Sequence, residues 1–123
     1  MEVIRLTPGV AAGEARVRFA GTDPVFVGHF PHAPVLPGVV LIDAAVEIVS
    51  RVMQQPLRLE RLASVKFCSA VLPDEELGFT FKAAPADGDS GRVKVSGRWF
   101  RDADKIAELV FTAAPSARGG DAT

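Results

Sequence analysis

The chain has 123 residues, 48% apolar and 24% charged, which fits one soluble globular domain with a single core. Its 14 Lys and Arg nearly balance 15 Asp and Glu, which excludes the basic footprint of a nucleic-acid binder but leaves room for a local basic patch. A single cysteine, Cys68, excludes an internal disulfide, and with two histidines no multi-histidine metal site is expected.

The opening MEVIRLTPGV has no apolar stretch behind a basic one, so no secretory signal is expected, and a cytoplasmic, reducing compartment follows. Residues 2–6 are predicted as a strand, with a turn at Pro8-Gly9. Residues 14–20, EARVRFA, alternate polar with apolar and predict a half-buried strand. Gly21-Thr22-Asp23-Pro24 is a turn. The next stretch, VFVGHFPHAPVLPG, holds three prolines and two glycines, which forbid a regular helix or central strand. It reads as an ordered loop passing over a site.

Pro37-Gly38 opens the one helix, predicted over residues 39–54. Its polar positions, Asp43, Glu47, Ser50, Arg51 and Gln54, fall on one stripe, and the remaining positions are apolar, so the helix is buried on most sides. The longest apolar run, residues 39–49, contains Asp43 and Glu47 and is too short and polar to span a membrane. Strands are predicted at residues 59–71, 77–84, 92–101 and 105–113, separated by a turn at 73–75, a loop at 85–91 and a turn at 102–104. Residues 104–110 include helix formers, but pairing with the preceding hairpin favours a strand. Cys68 lies in an alternating apolar run and is expected as a buried thiol. From Ala114 the composition turns to Pro, Ser, Gly and Asp. The expected organisation is one domain over residues 1–114 and a disordered tail over 115–123. Two or three strands, one helix and four more antiparallel strands make an α+β architecture, whose open edges invite dimerisation.

Three residues stand out chemically. His29 sits in the loop before the helix, Asp43 one turn inside it, and Gly38 at its amino end. A histidine and a carboxylate can divide base and acid roles, and a helix amino terminus presents unpaired N–H groups. Each also has a structural reading. His29 and His32 are then loop histidines, Gly28 and Gly38 turn glycines, and Asp43 the start of a solvated stripe with an ordinary Glu47–Arg51 pair.

Residues 26–47, FVGHFPHAPVLPGVVLIDAAVE, resemble the signature of beta-hydroxyacyl-acyl carrier protein dehydratases of the FabA/FabZ type. That family reads roughly GHFPxxPVxPG before a hydrophobic helix bearing an acidic residue. Gly28-His29-Phe30-Pro31, Pro34-Val35, Pro37-Gly38 and Asp43 all fall at its spacing. LASVKFCSAVLPDEEL resembles its strand-turn segment more loosely, and coverage runs over about residues 17–113. The resemblance implies a hot-dog fold, a curved antiparallel sheet wrapped around a central helix. It implies a homodimer with two shared sites, each taking the histidine from one protomer and the acid from the other. His29 would remove a proton from C2 of the acyl chain, and Asp43 would protonate or orient the leaving 3-hydroxyl. The Gly38 amide would hold the thioester carbonyl. Phe30, Val35 and Leu36 would line the acyl tunnel. The substrate would arrive on the phosphopantetheine arm of an acyl carrier protein, with no metal or redox cofactor.

The chain departs from the family in three ways. Asp43 stands where the larger branch has Glu, as in the branch that also isomerises the double bond. Glu47 replaces a usual Gln, and two carboxylates one turn apart influence each other's protonation where both are buried. The family's longer N-terminal segment has no counterpart. Such relatives serve fatty-acid, polyketide-like or aryl-polyene assembly. A hot-dog thioesterase and a non-catalytic acyl-carrier-binding partner subunit remain alternatives, as do a higher oligomer or a heterodimer. Arg51, Arg58, Arg61, Lys66, Arg98 and Arg101 are candidates for docking an acidic carrier, or are scattered solvated charge.

Overall fold

The computed structural model describes residues 1–9, 12–26, 35–86, 88 and 90–116. The elements run β1 (Glu2–Gly9), β2 (Ala12–Arg18), a 3-10 turn (Pro24–Phe26), α1 (Gly38–Met53), β3 (Leu57–Phe67), β4 (Glu76–Pro85), β5 (Val93–Arg101) and β6 (Asp104–Pro115). The strands form one antiparallel sheet in the order β1-β2-β4-β5-β6-β3. The sheet wraps α1, which is the hot-dog arrangement that the resemblance implies.

Period-two patterning accounts for β2, β4, β5 and β6. Their inward rows contribute Val17, Leu77, Phe79, Val95, Trp99, Leu109 and Phe111, all within a few per cent of full burial. The Phe79 and Trp99 rings pack with centroids 4.6 Å apart. From α1 the core receives Leu41, Ile42, Ala44, Ala45, Ile48 and Val49. Gln54 ends the helix in the left-handed region, with its N–H bonded to Arg51 O. Trp99 Nε1 is buried without a hydrogen-bond partner among the described residues.

β3 carries its apolar residues at a spacing that does not look like a strand. Leu59, Leu62 and Val65 are three apart, yet they pair with Ala113, Phe111 and Leu109, all on the inward row of β6. Register shifts between Leu59 and Arg61 and between Leu62 and Ser64 each absorb one residue and keep the three on one face.

Several boundaries differ from the sequence reading. β1 continues through Pro8-Gly9, where a turn was expected, because Pro8 and Gly9 pair with Gly13 and Ala12. β3 stops at Phe67 rather than at residue 71, because Cys68 and Ser69 both donate N–H to Ile106 O and leave the ladder. Cys68 is exposed there, not buried as its alternating context suggested. Residues 104–110 are strand, as pairing rather than propensity required. Ser116 N–H bonds Pro56 O just beyond β6, while residues 117–123 lie outside the described ones. No helix among the described residues is long and apolar enough to cross a membrane.

Candidate active site

Pro37 caps α1 with an extended backbone and no side-chain cap bond, so the first turn of the helix depends on other acceptors for its amides. The Val40 N–H bonds Pro37 O at 3.0 Å. A cleft of about 520 Å³ opens at this end of the helix, between Leu36, Gly38, Val39 and Leu41 on one side and residues 67–71 on the other. Leu36 is buried and donates its N–H to Val71 O at 2.9 Å, which ties the approach to the helix to the segment after β3. The ring of Phe67 lies directly against Gly38.

Asp43 is five residues on from Gly38. At 3.6 residues per turn it lies about 140° around the helix and faces elsewhere. It is exposed, on the stripe of an otherwise buried helix, and lines a separate cleft of about 300 Å³ with Val40, Glu47, Phe19 and Asp23. At its rim the Met1 ammonium is 3.5 Å from Asp23. Glu47 is also exposed and pairs with Arg51 at 2.8 Å, the ordinary i,i+4 contact. Both carboxylates are thus exposed in the single chain, not buried together.

The structure therefore brings Leu36 and Gly38 to one cleft and Asp43 to another. Val35 is half-buried and borders neither. His29, Phe30, His32 and Gly28 lie outside the described residues. A cleft of about 570 Å³ lies at the β1–β2 end of the sheet, away from Gly38 and Asp43.

The candidate docking cations fall into two groups. Arg101 is engaged: it donates to Ala70 O at 2.9 Å, Glu75 at 3.0 Å and Ser69 Oγ at 3.1 Å. Arg51 is held by Glu47. Arg58, Arg61 and Lys66 share the outer face of β3, as their pairing with Ala114, Thr112 and Glu108 shows, and Arg98 joins them opposite Glu108; of these, Arg58 lies 3.8 Å from Glu60 and Arg98 3.8 Å from Glu108. Lys105, first by hydrogen bond, then Arg98 and Lys66 hold the Glu108 carboxyl below its ordinary value. Phe67 and Val71 were not singled out by the sequence as walls of the cleft, nor Arg101 as the brace of its 69–71 side. Their convergence depends on where β3 ends, which periodicity does not mark.

A family model described as ApeI-like, ApeI dehydratase, matches residues 6–98. The chain is 30% identical over 104 residues to the 3-hydroxyacyl-[acyl-carrier-protein] dehydratase FabZ of Polynucleobacter asymbioticus, covering 79% of this chain and 68% of that protein. To FabZ of Syntrophobacter fumaroxidans it is 29% identical over 99 residues, covering 74% of this chain and 66% of that one. It thus spans about two thirds of the length of these curated relatives. Among solved structures it resembles the dehydratase heterocomplex ApeI:P from Xenorhabdus doucetiae, with TM-score 0.75, 20% identity, and coverage of 91% and 96% of the two chains. A protein of Pyrococcus horikoshii gives TM-score 0.69 at 14% identity, over 94% of this chain and 82% of that one. At such identities the structural likeness shows a shared fold.

Proposed function

The chain belongs to the ApeI-like dehydratase family, and we propose that it removes water from 3-hydroxyacyl thioesters borne by acyl carrier protein. The product is a trans-2-enoyl thioester, in fatty-acid, polyketide or aryl-polyene type assembly. The observation that carries this reading is the placement of Asp43. It is a carboxylate held in the open, one turn into a helix whose neighbouring positions Leu41, Ile42, Ala44 and Ala45 are buried. The core anchors the helix through those neighbours, and the Asp43 carboxyl opens onto the cleft beside Val40 and Phe19, where a substrate can reach it.

In this mechanism the thioester carbonyl accepts from the Gly38 N–H, which stabilises negative charge as the C2 proton leaves. His29 takes that proton. The C2–H electrons become the C2=C3 bond, the C3–O bond breaks, and Asp43 protonates or orients the departing hydroxyl so that it leaves as water. The acyl group arrives on the phosphopantetheine arm of its carrier, and no resident cofactor or metal takes part. The protein acts in the cytoplasm.

Two protomers share each site in this reading. Support comes from the 140° between Gly38 and Asp43, which keeps acid and carbonyl donor of one chain in separate clefts. Further support comes from β3, an edge strand whose inward row leaves Leu59 at 38% and Leu62 at 37% exposure. An unpaired edge with apolar residues is a template for another strand. Arg58, Arg61, Lys66 and Arg98 on the outer face supply the cationic surface for an acidic carrier.

The same exposed edge favours a second reading, in which the partner is a different hot-dog chain and this one is a subunit of a heterodimer. Incubation of the purified protein with 3-hydroxyacyl carriers of several lengths, followed by mass spectrometry, separates the possibilities. Loss of one water supports the dehydratase, and the preferred length points to the pathway. A bound carrier of unchanged mass overturns it in favour of a non-catalytic partner subunit, and release of free thiol in favour of a thioesterase.

A further inference from the structure

We propose that Phe67 is a specificity-determining residue whose ring meets the acyl chain just beyond the thioester carbonyl, so that the size of residue 67 selects the substrate. The inference rests on the dehydratase reading, which places that carbonyl at Gly38.

Glycine at residue 38 is not a matter of backbone geometry. Its φ is outside the left-handed region, in which Gly88 and Gly91 lie, so no backbone conformation demands it. Space does. A Cβ on Gly38 would lie 2.8 Å from Phe67 Cζ and 2.9 and 3.0 Å from its two Cε atoms. The ring thus occupies the room that a side chain at the helix amino end would need. Glycine at 38 and phenylalanine at 67 are a matched pair, one from α1 and one from the last residue of β3.

Phe67 is not a core residue. It is 48% exposed, and its cross-strand partner on the inward row is Ala107, too small to cover it. One side of the ring is spent on Gly38 and the remainder is a wall of the 520 Å³ cleft, continuous with the apolar side chains of Leu36, Val39, Leu41 and Val71. Val39, the next residue of the helix, is 60% exposed on the same cleft. Aromatic area left uncovered beside a carbonyl-binding position is stabilised when an apolar chain lies across it. Its contact with the first carbons past the thioester makes bulk there, rather than total chain length alone, the property that residue 67 reads.

The test uses the intact protein in its native oligomeric state. Phe67→Leu and Phe67→Ala are assayed beside the unmodified chain on carrier-bound 3-hydroxyacyl substrates that are short and linear, long and linear, or bulky next to the hydroxyl-bearing carbon. One methylene of pocket size changes discrimination by roughly tenfold or more. The expected result is a shift of at least about tenfold in the ratio of kcat/KM values towards the bulky substrate, larger for Ala than for Leu, with the short linear substrate still turned over. A proportional loss on all substrates, an unchanged ratio, or dissociation of the oligomer in both variants overturns the inference, since the ring would then serve folding or assembly. If the unmodified chain turns over none of them, the dehydratase reading itself fails and takes the inference with it. Activity with unaltered selectivity defeats the inference alone.

Discussion

Arg101, the last residue of β5, donates to Glu75 at 3.0 Å, and Glu75 in turn accepts the N–H of Leu72 at 2.8 Å. With its further bonds to Ala70 O and Ser69 Oγ, the guanidinium fixes the irregular segment after β3 from three directions. That segment holds Leu36 through Val71 O and so sets the wall facing Gly38. Arg101→Ala is expected to lower unfolding stability by about 1–3 kcal/mol, because a partly buried charge-assisted cluster loses its donor. Urea denaturation measures it. Unchanged stability with weakened, salt-sensitive carrier binding would instead return Arg101 to the docking surface.

Gly97 lies beneath Phe79, and an added Cβ would stand 2.5 Å from Phe79 Cζ. Phe79 is fully buried and braced by Trp99, so it has no room to move aside. Gly97→Ala should cost about 1–3 kcal/mol by overpacking, and adding Phe79→Leu should recover part of the loss. Denaturation of the two single variants and the double variant tests both statements.

Asp43 and Glu47 are one turn apart on the same stripe but are given different work. Asp43→Asn should reduce turnover by about 10²–10⁴-fold while leaving the melting temperature near its original value, since the side chain is exposed. Glu47→Gln removes only the Arg51 pair, worth a few tenths of a kcal/mol, and should keep most activity. Steady-state kinetics beside thermal melts separates the two. Equal losses in both variants would make the carboxylates a functional pair.

Glu60 and Glu108 are held below the ordinary glutamate value of 4.5, Glu60 chiefly by its hydrogen bond from Arg92 and Glu108 by that from Lys105. Carboxylates depressed in the folded state contribute stability that is fully present above 4.5 and fades as pH falls through the lower folded values. The double variant Glu60→Gln, Glu108→Gln should therefore show a shallower loss of melting temperature on the acid side. An unaltered slope would show that these pairs do not couple to folding.

Leu59 and Leu62 lie on the inward row of the edge strand with no described neighbour strand beyond them. The proposed pairing of two protomers through this edge predicts that Leu62→Glu sediments as a monomer, whereas the unmodified chain sediments as a dimer, and that turnover at shared sites is lost at the same time. A monomeric variant that keeps full activity would show that one chain carries a whole site.

Much was readable from residue order because it depends on local chemistry. The alternation in EARVRFA and RVKVSGRWFR, the Pro37-Gly38 start of α1 and the stripe from Asp43 to Gln54 all follow from side-chain period and backbone restriction. Even the divergence of Gly38 and Asp43 is implicit in their separation by five positions. The tertiary structure alone decided the rest. β3 ends at Phe67 because Ile106 O captures the next two amides, which turns Cys68 outward and delivers Phe67 to Gly38. Leu59, Leu62 and Val65 share a face only because two bulges absorb the extra residues. Arg101 is a brace rather than a free cation because its partners lie some thirty residues earlier in the chain. These outcomes depend on pairing across long separations, and periodicity within one segment carries no information about which strand lies beside it.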